Sequence, residues 1–338
     1  MFENILNQDR PIRLLTSLLY NKTIPHALLF TGVDGIGKRT CSIAFAMLCN
    51  CADLQSESVS GGNNRIHSCG KCSSCKKIKS GNHPDIITVE PSGTYIKIDQ
   101  IRELCSLLSL KPYEAKLRVI IISDAQTMTV EAGNALLKEL EEPPSGTVFI
   151  LTATQKSDML STIVSRTQNI SFNPFPLKNI IAILEQEHGV SHNDAIILAS
   201  MANGSLAKAI AASASGNRNH LIIQREWLIN VLSGFVKSEP VTAQLLAFAL
   251  RLSKNKDFFL DSLKLIKIWL RDIIISKYCS EKVINKDIIM GLKQISAQVT
   301  VESILGKIQI IDAAQKNILA NANLRLTSET MIIKFVRA

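Results

Sequence analysis

Cys69-Gly70-Lys71-Cys72-Ser73-Ser74-Cys75 spaces three thiols two residues apart in a polar stretch. Thiolates so spaced bind zinc, which takes four tetrahedral ligands when its role is structural. The fourth is open among Cys49, Cys51, His67 and His83. A closed four-ligand set leaves no position for substrate, so structural zinc is expected and catalytic zinc is not. Without a metal, three such thiols would be reactive and unexplained. Of the chain's 8 cysteines, all but Cys105 and Cys279 fall between positions 41 and 75. Cys41, Cys105 and Cys279 read as small buried hydrophobes.

A second group of residues could handle phosphate. Gly32-Val33-Asp34-Gly35-Ile36-Gly37-Lys38 has the spacing of a P-loop. Glycines let backbone N–H groups turn inward around phosphate oxygens, and the lysine reaches the outer phosphates. The next residue should be Ser or Thr, to hold Mg²⁺. Here it is Arg39, whose own charge is placed to fill part of the pocket. Thr40 comes one position late, about 100° further round a helix. The partner strand of a phosphate engine ends in a metal-binding Asp. Here Ser123 stands in that place and Asp124 falls one position on. The candidate contacts are Gly32, Gly35, Gly37, Lys38, Arg39, Thr40 and Asp124. With both Mg²⁺ contacts altered, ATP binding is doubtful and little hydrolysis is expected.

These groups need a scaffold. Ile12, Leu14, Leu15, Leu18 and Leu19 have helical spacing. Residues 27–31 read as a buried strand leading into the glycine loop, and 38–48 as a helix. Residues 53–68, rich in Ser, Gly and Asn, read as a loop. Strands are expected at 85–89, 119–122 and 148–152, with helices at 98–110 and 129–142. Pro143-Pro144 stops the latter. The β-branched run Val119-Ile120-Ile121-Ile122 suits a parallel strand covered on both faces. This alternation implies a three-layer α/β sheet. After about residue 175 only helices are expected, at 180–188, 193–202, 206–214 and beyond 221, with Gly204 and residues 213–219 as breaks. Phe259, Leu263, Ile266, Leu270 and Ile273 form a helical stripe that reads as packing.

The 338 residues exceed one ordinary core, so two or three domains are expected. Hydrophobic residues at 46% and charged ones at 20% exclude a disordered chain. No run of about 18 apolar residues marks a membrane span. Met1-Phe2-Glu3-Asn4 lacks the pattern of a secretory leader, so a cytoplasmic location, without disulfides, is expected. Lys and Arg, at 38, outnumber Asp and Glu, at 29, which favours nucleic acid or an acidic partner.

Several motifs occur in a fixed order. His26-Ala27-Leu28-Leu29-Phe30 precedes the P-loop and the cysteines, then come His83-Pro84-Asp85 and Asn134-Ala135-Leu136-Leu137-Lys138 running on to Pro143-Pro144. Ser165-Arg166 follows, and Asn321-Ala322-Asn323-Leu324-Arg325-Leu326 with Glu329 closes the series. Together they resemble the delta-prime subunits of the bacterial DNA polymerase III clamp loader, in the AAA+ superfamily. The resemblance covers the whole chain and is most specific over 26–176. It implies a P-loop AAA+ RecA-like parallel-sheet domain over 1–174 with a zinc module at about 51–75. A small helical lid over 175–216 and an all-α collar for oligomerisation over 217–338 would follow.

The resemblance also implies a role. Such subunits act as stators, and the partners would be the delta and tau/gamma subunits in a five-membered ring. The ring loads the sliding clamp onto primed DNA for a nucleotidyltransferase holoenzyme. The chain itself would have no polymerase activity and little or no ATPase. The resemblance puts Cys51 first in the zinc set, giving Cys51, Cys69, Cys72 and Cys75. It puts Arg166 in a Ser-Arg-Cys element, with Thr167 replacing the Cys, as a finger that acts in trans on a neighbour's ATP. Permanent charge and forked donors suit arginine to that task. Ala207 stands where active relatives carry a sensing Arg. The alternatives are a tau/gamma-type motor subunit and an independent AAA+ ATPase acting on DNA. Either should carry Gly-Lys-Ser/Thr and Asp-Glu, and this chain has neither.

Overall fold

The computed structural model describes residues 7–59, 63–237 and 240–337. Met1–Asn4 and residues 60–62 of the Ser/Gly/Asn-rich stretch lie outside them. The chain divides into two compact units, Met1–Phe175 and Pro176–Ala338.

The first unit carries strands β1 (Ala27–Thr31), β2 (Leu54–Val59), β3 (Asn63–Ser68), β4 (Ile86–Val89), β5 (Arg118–Ile122), β6 (Thr147–Ala153) and β7 (Gln168–Ser171). Its helices are α1 (Asp9–Tyr20), α2 (Lys38–Asn50), α3 (Ser73–Ser80), α4 (Ile98–Leu108), α5 (Val130–Glu141) and α6 (Ser161–Val164). Five strands form one sheet in the order β4-β5-β6-β1-β7, with every neighbouring pair parallel. β1, β5 and β6 are buried along their whole length. Alternation sends Leu28, Phe30, Val119, Ile121 and Ile150 into one core with α2. Leu29, Ile120, Ile122, Phe149 and Leu151 enter the other, with α4 and α5. Each such side chain contributes about 1.5–3 kcal/mol on burial, so the three-layer arrangement follows from apolar strands needing two covers.

Strands appear where none was expected. Residues 53–68 are not a plain loop: β2 and β3 pair antiparallel, from Leu54 opposite Ser68 to Val59 opposite Asn63. That pairing is made by the backbone, which polar composition does not reveal. β7 was not anticipated either. It is a short edge strand with only Ile170 buried, and its register is set by pairing to β1.

The sheet order brings strand ends together. The chain leaves β1 for the far edge at β4, returns through β5 and β6, and then crosses to β7. In open parallel sheets the crevice at the carboxyl ends, where strand order reverses, is the ligand position. Here Gly32 N–H donates to Ala153 O (3.2 Å) and Thr154 O (3.0 Å), and Asp124 N–H to Thr152 Oγ1 (3.1 Å). The glycine loop and the ends of β5 and β6 are thereby tied together.

The second unit is helical apart from single turns: α7 (Leu177–His188), α8 (His192–Met201), α9 (Leu206–Ser213), α10 (Ser215–Lys237), α11 (Thr242–Leu252), α12 (Lys256–Tyr278), α13 (Ile289–Gln298), α14 (Val301–Leu319) and α15 (Leu324–Arg337). Phe259, Leu263, Ile266, Leu270 and Ile273 of α12 are all buried in its main core. The break expected over 213–219 shrinks to Ala214. A glycine in the first turn, Gly216, costs little where backbone N–H groups are unbonded anyway, so α10 starts at Ser215. α10 therefore runs across the 216/217 border at which a lid was expected to give way to a collar. Among the described residues, no helix is long and apolar enough to cross a membrane.

Candidate functional site

The P-loop is built as the sequence requires, with its lysine held by carbonyls of the loop. Gly35 and Gly37 have φ of 76° and 98°, a region that favours glycine. A Cβ on Gly32 would lie 2.5 Å from Ile36 Cδ1 and 2.8 Å from Phe172 O. Lys38 opens α2 and is only 6% exposed. Its ammonium donates to Gly32 O and to Val33 O (3.1 Å), and stands 3.6 Å from Asp34 Oδ1. Two loop carbonyls thus accept from the ammonium, and the Asp34 carboxylate adds a charge contact. Asp34 was not singled out in the sequence, because its role depends on the turn that aims it at Lys38.

The flanking positions depart from a working pocket. Arg39 does not fill the phosphate site: it forms an ion pair with Glu90, just beyond β4. The sheet brings that carboxylate within reach, which the linear sequence does not show. Thr40 is exposed. Ser123 is buried at the end of β5, and its hydroxyl has no hydrogen-bond partner among the described residues. Asp124 follows in a left-handed turn, φ 51°. A hydroxyl at Ser123 gives Mg²⁺ no anionic anchor. In the second unit, Ala207 is exposed in the first turn of α9.

Four cysteines gather from three segments. Cys51 ends α2, Cys69 follows β3, Cys72 N-caps α3 and Cys75 lies in that helix's first turn. Their sulfurs all lie within 4.8 Å of one another. A zinc tetrahedron with bonds of about 2.3 Å has sulfurs about 3.8 Å apart, so a small contraction closes the cage. Backbone N–H groups line it: Cys69 N–H donates to Cys51 Sγ (3.3 Å), Cys72 N–H to Cys69 Sγ (3.4 Å) and Cys75 N–H to Cys72 Sγ (3.5 Å). Such bonds favour the thiolate, the form that binds metal. The Cys72 thiol is pulled down to about 6, chiefly by the Ala52 N–H. Cys69 is lowered by the N–H groups of Cys72 and Lys71. Burial pushes Cys51 and Cys75 up. The donor set thus fits a tetrathiolate metal centre.

The competing ligands stand elsewhere. Cys49 is not in the group, and burial pushes its thiol up to about 12. His67 is not in it either. His83 is buried, and its Nδ1 accepts the N–H of Asp85 (3.2 Å).

His83-Pro84-Asp85, whose role the sequence left unstated, is a structural pin. The Asp85 carboxylate, on a residue 3% exposed, accepts the N–H groups of Tyr113, Glu114 and Ala115, each at 2.8 Å. Arg118 Nη2 lies 3.7 Å away and is also buried. Burial alone would raise the carboxyl's pKa. The three N–H groups and Arg118 outweigh it and hold the carboxyl below its ordinary range.

Arg166 lies between α6 and β7, its side chain 35% exposed. It pairs with Glu141 at the end of α5 and donates to Thr162 O (3.0 Å). Gln168, two residues on, is in register with Leu28 near the start of β1. Arg166 therefore sits at the amino end of the sheet, whereas the P-loop leaves the carboxyl end. Five strand residues separate the two ends by about 16 Å. Arg166 cannot serve its own chain's P-loop.

Known proteins match this chain along most of its length. The family model described as "DNA polymerase III, delta subunit" matches residues 7–176, and "DNA polymerase III, delta subunit, C terminal" matches 219–336. DNA polymerase III subunit delta' of Bacillus subtilis (strain 168) is 31% identical over 333 residues, 96% of this chain and 95% of that one. Subunit tau of the same organism is 30% identical over 215 residues, 62% of this chain but 36% of its own length. A solved DNA polymerase III gamma subunit-related protein from Thermotoga maritima MSB8 aligns over 96% of this chain and 99% of that one, at 20% identity. Its TM-score is 0.43. Through the matches that span both units, the chain belongs to the DNA polymerase III delta-prime family.

Proposed function

We propose that the chain is the stator of a clamp-loader ring: it holds a place among the delta and tau/gamma subunits, and turns over little or no ATP itself. The observation that carries this reading is the loss of both Mg²⁺ contacts: Arg39, drawn off to Glu90, stands where a hydroxyl belongs, and Ser123 where a carboxylate belongs. A motor subunit needs the P-loop lysine on phosphate and an Asp on Mg²⁺. Ser123 supplies no carboxylate, which disfavours the tau/gamma-type reading. Arg166 is then the finger offered to a neighbour, because its position excludes service in cis. The complex acts in the cytoplasm, loading the sliding clamp on primed DNA.

The purified protein is expected to hydrolyse ATP well below 1 s⁻¹, at the foot of the usual enzymatic range of about 1–10³ s⁻¹. Steady-state phosphate release measures this directly. Turnover near or above that rate, abolished by Lys38→Ala, would overturn the stator reading.

Zinc, in this proposal, is held by Cys51, Cys69, Cys72 and Cys75 and orders the hairpin and α3 around one point. Elemental analysis of reduced protein is expected to give one zinc per chain. Cys51→Ser should remove most of it, and Cys49→Ser should leave it unchanged. Retention of full zinc by Cys51→Ser would move the fourth ligand elsewhere.

A further inference from the structure

α11 is apolar on two opposite sides. At about 100° per residue, Leu245, Phe248, Ala249 and Leu252 point one way, into the core of the second unit. Ala243, Leu246, Ala247 and Leu250 point the other way, and all four are exposed, Leu246 by 42% and Leu250 by 55%. Arg251 is the one charged residue of the helix. A helix with so little polar surface is normally covered on every side. With 11 residues, α11 is too short to span a membrane. Its outer side calls for a protein cover.

Beside that side lies an open groove of about 470 Å³ between α10 and α11. Trp227, Val231, Phe235 and Phe248 give it an apolar lining. The rings brace one another: Trp227 and Phe248 are 5.1 Å apart, and Phe235 meets Phe248 edge-on at 5.6 Å. Ala247 belongs both to the groove and to the exposed side of α11, so the two form one continuous surface. Arg251 also lines the groove, its guanidinium 4.1 Å from the centre of the Trp227 ring. That stacking holds the cation by its face and leaves its edge donors outward. Among the described residues the guanidinium has no ion pair and no hydrogen bond. Glu226, Lys254 and Lys256 are close in sequence, but none of them lines the groove.

What the surface lacks narrows its occupant. Nucleic acid and lipid headgroups are held by several cations, and this surface has one. A two-fold dimer would set the patch against its own copy, and the groove lining holds no carboxylate for Arg251. Grooves between helices take an amphipathic helix, through apolar anchors at i, i+3 or i+4 and i+7. α11 offers such a helix about 16 Å, or three turns, of contact. We propose that the α10–α11 groove docks an amphipathic helix of a partner protein. Leucine-like anchors would lie on the aromatic lining beside Ala247 and Leu250, and an acidic residue would meet Arg251. Such docking is independent of whether the chain is a stator.

The test is titration of the full-length chain with a blocked helical peptide of about 18 residues, or five turns. The peptide carries Leu at i, i+3, i+4 and i+7, Glu on both flanks, and no Trp. Of the chain's 2 tryptophans, Trp269 is only 3% exposed, so acrylamide quenching of fluorescence reports on Trp227. The peptide is expected to protect Trp227 saturably. Arg251→Gln should weaken it about fivefold, the upper range for an exposed ion pair. The same variant should leave a second peptide, with Gln in place of Glu, unaffected. Ala247→Glu sets an unpaired charge against the anchors and should weaken both peptides by about tenfold or more. Met290→Glu, at a 75% exposed position of α13, should change neither. Circular dichroism melts matching the unmodified chain show that each variant is folded. Absence of protection at about 1 mM peptide, the floor of specific affinity, would overturn the proposal. Normal binding by Ala247→Glu would overturn it too, as would equal effects of Arg251→Gln on the two peptides. Sedimentation showing self-association that Ala247→Glu abolishes would assign the surface to a second copy of the chain instead.

Discussion

Arg166→Ala, assembled with the other loader subunits, is expected to slow ATP hydrolysis about 10³-fold or more at the one interface it serves. That is the lower end for trans arginine fingers, which stabilise charge developing on the transferred phosphoryl group. Whole-loader turnover should fall less, because other sites keep their own fingers, while clamp loading should fall further if it needs every site. The chain's own stability should barely change. The Arg166–Glu141 pair is half exposed, and pairs in solvent contribute about 0–1 kcal/mol. For the same reason the pair is cheap to break when a neighbour's phosphate competes for the guanidinium. Arg166→Lys should rescue poorly, since one ammonium does not reproduce a forked donor. Clamp- and DNA-stimulated phosphate release, with gel filtration to confirm assembly, separates the outcomes. Normal hydrolysis and loading by Arg166→Ala would reduce the residue to a surface charge.

Asp85→Asn should destabilise the first unit by about 3–5 kcal/mol, the usual cost of removing one partner of a buried ion pair. The amide keeps the shape but removes the charge that balances Arg118. That guanidinium would be left with Leu107 O and Leu108 O, each at 3.5 Å. It also turns two oxygens that accept three N–H groups into one oxygen and an NH₂ that faces a donor. The pH dependence has a definite sign. Because the folded carboxyl lies below its ordinary value of about 3.8, its stabilisation is complete above that value and is lost as pH falls through the folded pKa. Urea unfolding of the two proteins should therefore give a constant difference from about pH 5 upward and a shrinking one below pH 4. A difference that is flat throughout, or below 1 kcal/mol at neutral pH, would show that the pin matters little.

What could be read in the linear chain was whatever its own composition enforces. The isoleucine run of β5 has to be covered on both sides, and the stripe on α12 has to face a core. The Cys69, Cys72 and Cys75 spacing has to converge. β7 was hidden because three of its four residues are polar and its partner is more than a hundred residues away. The β2–β3 hairpin was hidden for a similar reason, having no apolar alternation to mark it. At the site, the altered Mg²⁺ positions were legible as residue types. Their consequences were not: Glu90, Glu141 and Asp34 were ordinary surface acids until the fold set them against Arg39, Arg166 and Lys38. His83-Pro84-Asp85 stood out by type and order, yet its work is done on backbone N–H groups almost thirty residues on, which carry no side-chain signature.

β7 links two features that work in different neighbourhoods. At one end it begins two residues after Arg166, and at the other it runs into Phe172, whose carbonyl oxygen abuts Gly32 so closely that no side chain fits there. If Arg166 is offered in trans, as proposed, a chain of this design has a giving end and a receiving end joined by a single four-residue strut. Molecules so built would associate head to tail, and a repeated heterologous contact has polarity around a ring, as a two-fold dimer does not. A member whose receiving end lacks its Mg²⁺ contacts would break the repetition at one place only. Under the stator reading it gives the circle a first position and a last one, and hence a fixed order in which neighbouring sites can fire.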